Sequence, residues 1–142
     1  MILDSLTQFS LAQALTATAL STDAMDLSQS GRPVANTVYH PIVVSVAEPM
    51  VGAGTLEIQV VTSDNDDMSG ADVLMTTGPI AAADLDGSQY AAVFDLPDRV
   101  YKRYLGLNYV VAGGAFTGGS IDAAMAANAG TYRTVARGYV IE

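Results

Sequence analysis

The chain has 142 residues, half of them hydrophobic and 15% charged, a length that suits one compact domain and a balance that excludes disorder. Its formal net charge is -9, with six basic residues against fifteen acidic ones, which excludes the clustered cationic surface that nucleic acid requires. Cysteine is absent, so no disulfide framework or thiolate metal site can form, and no apolar run approaches the roughly 20 residues of a spanning helix.

Gly, Ala, Ser and Thr crowd the sequence, whereas Lys and Glu are scarce. Long exposed helices carry Glu and Lys on their solvent face, so this scarcity, beside many Val, Thr and Tyr, predicts a β-rich chain. The first fifteen residues contain Asp4 and no basic side chain, which lacks the charged start of a signal peptide. A soluble chain made in the cytoplasm is expected.

Residues 1–36 are predicted to form an N-terminal arm and residues 37–142 one compact β-barrel domain. Within the arm, Phe9, Ala12, Gln13 and Leu20 fall near helical spacing, while Thr16, Thr18 and the missing charges weaken a helix. The segment is therefore either a helix over 6–20 or an extended stretch that docks on something else.

From Thr37 the pattern becomes period two, with Val38, His40, Ile42, Val44 and Val46 on one face and Pro41 marking an edge or strand start. Gly52-Ala53-Gly54 punctuates, and Leu56, Ile58 and Val60 then alternate with Glu57 and Gln59 in the clearest half-buried strand. Asp64-Asn65-Asp66-Asp67 and Ser69-Gly70 predict a turn, followed by a short strand over 71–77 that ends at Gly78-Pro79. After a turn at Asp84-Leu85-Asp86-Gly87, residues Tyr90, Ala92, Phe94 and Leu96 supply another alternating face.

Residues 99–112 form the longest predicted strand. Tyr101, Leu105, Leu107, Tyr109 and Val111 share one face, and Lys102, Tyr104, Gly106 and Asn108 the other. Gly113-Gly114 and Gly118-Gly119 bracket an expected loop through Phe116. Residues 121–127 fit either helix or strand, and 131–141 read as a closing strand. Seven or eight short strands separated by turns predict an all-β sandwich or barrel, and a jelly roll fits that count.

His40 is the only histidine, set between Tyr39 and Pro41 in a strand, which offers neither a triad nor a histidine metal site. Asp64, Asp66 and Asp67 are the best metal candidates, because hard cations favour clustered oxygens. An EF-hand loop starting at Asp64 needs Gly sixth and Glu twelfth, where this chain has Ser69 and Met75. A turn bonded to its own backbone is the stronger reading of those acids. The glycine pairs fit neither a dinucleotide nor a phosphate loop. No catalytic residue, no cofactor and no enzymatic activity are expected. Tyr104, beside Lys102 and Asn108, is the tyrosine expected to touch a partner, because Tyr suits interfaces.

Met1-Ile2-Leu3-Asp4-Ser5-Leu6 through Phe9-Ser10 and Ala12-Gln13-Ala14, then Thr16-Ala17-Thr18-Ala19 and Ser21-Thr22 to Asp26-Leu27, resembles the opening of a family of tailed-phage capsid cement (decoration) proteins. Arg103-Tyr104-Leu105-Gly106-Leu107-Asn108-Tyr109-Val110-Val111, followed by Phe116-Thr117-Gly118-Gly119-Ser120-Ile121, resembles the same family, whose members run the length of this chain. The resemblance implies a jelly-roll barrel, a strand at 121–127, and a small homo-oligomer, dimer ahead of trimer. It also implies attachment to the outer surface of the virion head, bridging subunits of the major capsid protein. Asp122 to Ala127 is more alanine-rich than that pattern. The arm, through Leu3, Leu6 and Phe9, is expected to add a strand to a neighbour's sheet edge. Deleting residues 1–20 should then abolish head binding and leave the barrel folded. Neither nucleic acid nor a membrane is an expected partner. The alternative is a carbohydrate- or ligand-binding β-sandwich, for which the missing Trp weakens an aromatic platform.

Overall fold

The computed structural model describes residues 7–27, 41–96 and 101–126. These form nine strands: β1 (Gln8–Ala14), β2 (Ala19–Leu20), β3 (Met25–Asp26), β4 (Ile42–Gly52), β5 (Thr55–Ser63), β6 (Asp72–Ala81), β7 (Tyr90–Phe94), β8 (Tyr104–Ala112) and β9 (Phe116–Met125). Sheet I has the order β1-β9-β4-β7 and sheet II the order β2-β8-β5-β6, with β3 also on β8, all antiparallel. With β2 and β3 taken as one interrupted strand, sheet I holds the first, eighth, third and sixth strands and sheet II the second, seventh, fourth and fifth. That is the order of a jelly roll, as expected for this all-β chain.

The alternation seen in sequence builds the core. In β5, Leu56, Ile58 and Val60 are fully buried between the sheets while Glu57 and Gln59 face out. Leu105, Leu107 and Tyr109 of β8 do the same, and sheet I answers with Ile42, Val44, Phe94, Ile121 and Ala123. Each fully buried side chain of this kind stabilises the fold by about 1.5–3 kcal/mol before chain entropy is subtracted.

Within residues 8–26 the regular elements are the strands β1, β2 and β3, so no α-helix forms over 8–20, and these strands dock on the chain's own β8 and β9. Phe9 and Leu15 are fully buried in the core. Successive register shifts in β1, one between Gln8 and Ser10 opposite Ala124 and Ala123, turn both Phe9 and Ser10 inward. The expected boundary at 36/37 lies outside the described residues, as do Leu3, Leu6, His40 and the strand expected over 131–141.

Two predicted turns are strand instead. Gly78-Pro79 lies inside β6, where the pairs Glu57 with Pro79 and Gln59 with Thr76 leave one extra residue on β6, a bulge that Gly78 takes up at φ 71. Proline fits there because β6 is an edge strand. Gly118-Gly119 lies inside β9, where Gly119 has φ +120 and a Cβ would come within 2.8 Å of Met50 Cα and 3.0 Å of the Pro49 carbonyl. Residues 121–125 are strand, the form that the resemblance implied.

Among the described residues, each strand at a sheet edge is bulged, broken or short. β1 carries two register shifts and Ala12 at φ 44, β2 and β3 are two residues each, β7 has five, and β6 carries two register shifts as well as Pro79.

Candidate functional site

The Asp64–Asp67 turn bonds to itself. Asp67 accepts the Ser69 amide at 2.9 Å, Ser63 Oγ donates to the Ser69 carbonyl at 2.7 Å, and Asn65 Nδ2 donates to the same oxygen at 3.1 Å. Hydrogen bonds from Ser69 hold the Asp67 carboxyl below its ordinary range. Among the described residues no group of three or more His, Cys, Asp or Glu is placed to hold a metal ion. The turn also folds over sheet II. Met68, at φ 59 and buried, sets its methyl 3.1 Å from where a Cβ on Gly106 would stand, and so covers Gly106, the β8 partner of Val61.

Beyond that cover, the outer face of sheet II carries a row of linked side chains. Thr76, Gln59 and Asn108 lie side by side on β6, β5 and β8, and Leu20 of β2 pairs with Asn108. Asn108 Nδ2 donates to Gln59 Oε1 at 3.0 Å, and Gln59 Nε2 donates to Glu57 Oε1 at 2.9 Å. Thr76 Oγ1 donates to the same Glu57 oxygen at 2.7 Å. Both bonds favour the ionised carboxylate and lower the pKa of Glu57, the Thr76 bond most.

At the end of this face Arg103 makes a two-bond contact with Asp26, 3.0 Å from each nitrogen used, and its guanidinium carbon lies 5.1 Å from the centre of the Tyr104 ring. Tyr104 is half-buried and faces outward, on the same side as Asn108, as the sequence led one to expect. Lys102 pairs with Asp72 at 2.8 Å. Phe9 is placed differently from its expected role: it is wholly inside this chain's own core and has no surface left for a partner.

The N-terminal strands are tied to the body by a buried polar chain. Ser10 Oγ donates to Gln13 Oε1 at 2.7 Å and lies 2.8 Å from the Tyr109 hydroxyl. Since the serine proton goes to Gln13, the tyrosine must be the donor to Ser10. Burial raises the Tyr109 phenol well above its ordinary pKa, with Ser10 opposing in part. Gln13 Oε1 also accepts from Thr22, and Thr18 Oγ1 takes the Val111 amide at 3.0 Å in place of a strand bond.

The outer face of sheet I differs. Its row Val93, Val43, Ala124 and Gln8 crosses all four strands, and Val43 and Ala124 are only 4% and 6% exposed. A shallow depression beside them, lined in part by Ser45 and Asp122, has room for about one water molecule. The row of Glu57, Gln59, Asn108 and Thr76 was not foreseen, because cross-strand neighbours are invisible until register is known.

No curated protein matches the chain. The model of the Bbp16 family, a phage-associated family, matches residues 9–125, which takes in every described strand but the first residue of β1. This jelly-roll chain belongs to the Bbp16 family and is a phage-related protein.

Proposed function

We propose that the chain is a capsid cement protein that binds the outer surface of a tailed-phage head and holds neighbouring major capsid protein subunits together. Its action is association, with no chemical step. The observation that carries this reading is that the two segments resembling cement proteins fold onto each other. β2 and β3 of the first segment pair with β8 of the second, β1 pairs with β9, Asp26 bonds Arg103, and Ser10 bonds Tyr109. The described residues of the two resembling segments thus pair with each other within the span that matches a phage-associated family.

Cementing needs surface buried between subunits that internal pressure pulls apart. Apolar burial contributes about 25 cal/mol per Å² before association costs, and an oligomer multiplies modest contacts through effective concentration. The test is to mix the purified protein with undecorated heads and image them by electron cryo-microscopy. Ordered density added to the outer shell, with heads that survive greater heat, is the expected result. Heads that remain bare at saturating protein refute the reading.

A further inference from the structure

Which side of the sandwich meets the partner is decided by comparing the two outer faces. On sheet I, the outward Val43 and Ala124 are 4% and 6% exposed at the centre of the face, and the exposed apolar side chains lie towards the margins of its strands, among them Val93 at 37% on β7 and Leu11 at 68% on β1. On sheet II, the Glu57–Gln59–Asn108–Thr76 row is half-buried to exposed, framed by Leu20 and Val73 at 41% and 52% exposure. Strand addition at an edge is disfavoured because, among the described residues, every edge strand is bulged, broken or short.

The row is also prepared for contact. Its donors run in one direction, Asn108 to Gln59 to Glu57, with Thr76 closing on the same carboxylate, so these side chains lose little freedom on docking. Both bonds land on Glu57 Oε1, which leaves charge to be met from outside. The described residues supply no cation for it, since Lys102 is engaged with Asp72 and Arg103 with Asp26. Covering a carboxylate with a neutral surface costs its hydration without return, so a surface that docks here must bring a positive group. A two-fold axis passing through Glu57 would set it near its own copy and repel.

We infer that the outer face of sheet II, centred on Glu57, Gln59, Asn108 and Thr76, is the docking surface, and that its occupant is a head-shell surface presenting arginine or lysine to Glu57. This rests on the cement reading and names the side and chemistry of that attachment.

The experiment measures binding of the full chain to undecorated heads at several salt concentrations, for the unaltered protein, Glu57→Gln, Glu57→Lys and Asp86→Lys. Asp86 sits in an exposed turn and its substitution makes the same change of charge away from the row. Glu57→Gln should weaken binding about tenfold and flatten its salt dependence, Glu57→Lys about a hundredfold, and Asp86→Lys by no more than about twofold. Circular dichroism melts verify folding, and if Glu57→Lys does not fold, the near-isosteric Glu57→Gln decides. If the unaltered protein binds and both Glu57 variants bind equally well, this inference fails while the cement reading stands. Equal damage from Asp86→Lys has the same meaning. If the Glu57 variants change only self-association in sedimentation, the face belongs to a second copy and the inference fails. If the unaltered protein does not bind heads, the cement reading falls and takes this inference with it.

Discussion

The contact between Ser10 and Tyr109 joins the two sheets through the core, and its removal can be worked out side by side. Ser10→Ala deletes the acceptor of a phenol buried at 0% exposure, and also the serine's own bond to Gln13. An orphaned buried donor costs about 1–3 kcal/mol and the second bond about 1 kcal/mol, so a loss of about 2–4 kcal/mol is expected. Tyr109→Phe removes one bond and leaves Ser10 satisfied by Gln13, for a loss of about 1 kcal/mol. The double variant leaves no orphaned hydroxyl, and its loss should fall short of the sum by about 1 kcal/mol. Urea unfolding followed by circular dichroism measures all three, and for a chain of this size 1 kcal/mol shifts Tm by about 3 °C. The phenol adds a pH signature. Its folded pKa lies above the ordinary 10.0, so its share of stability is whole below pH 10.0 and falls as pH rises beyond it. The slope is at most about 1.4 kcal/mol per pH unit, and Tyr109→Phe removes it. Ser10→Ala costing no more than Tyr109→Phe, or additive losses, would refute this account of the buried chain.

Phe9→Ala should destabilise by about 3–5 kcal/mol, and deletion of residues 1–20 should leave a chain without a cooperative melt, since it takes away β1, β2, Phe9 and Leu15. A folded deletion variant would show that these strands are dispensable. Gly119→Ala should cost more than about 1 kcal/mol, because φ +120 disfavours a side chain and the β4 backbone already occupies its space. An unchanged urea midpoint would contradict it. Millimolar calcium should leave Tm unmoved, because the Asp64–Asp67 turn bonds to its own loop; a rise of several degrees would restore a cation site there.

Much of the fold could be read where alternation was intact. Leu56, Ile58 and Val60 in β5 and Leu105, Leu107 and Tyr109 in β8 announced their inward faces without help. The first strand hid itself because its register shifts place Phe9 and Ser10 on the same side, which erases period two. Gly78-Pro79 and Gly118-Gly119 looked like turns because those residues usually make them. Here one pair serves a bulge on an open edge, and in the other Gly119 yields room for the backbone at Met50. Of the outer face of sheet II, the sequence placed Lys102, Tyr104 and Asn108 together, which alternation along one extended segment dictates. Glu57 and Thr76 join them only through the pairing of β5 with β6 and β8, a long-range fact that no local pattern carries.

The interrupted edges bear on crowding. A sandwich with a long, straight, unpaired border invites a copy of itself to continue the sheet, and enough such events give fibres. With Ala12, the gap between β2 and β3, and the bulge at Gly78 standing in the way, the edges of the described sheets are poor templates for such fibre growth.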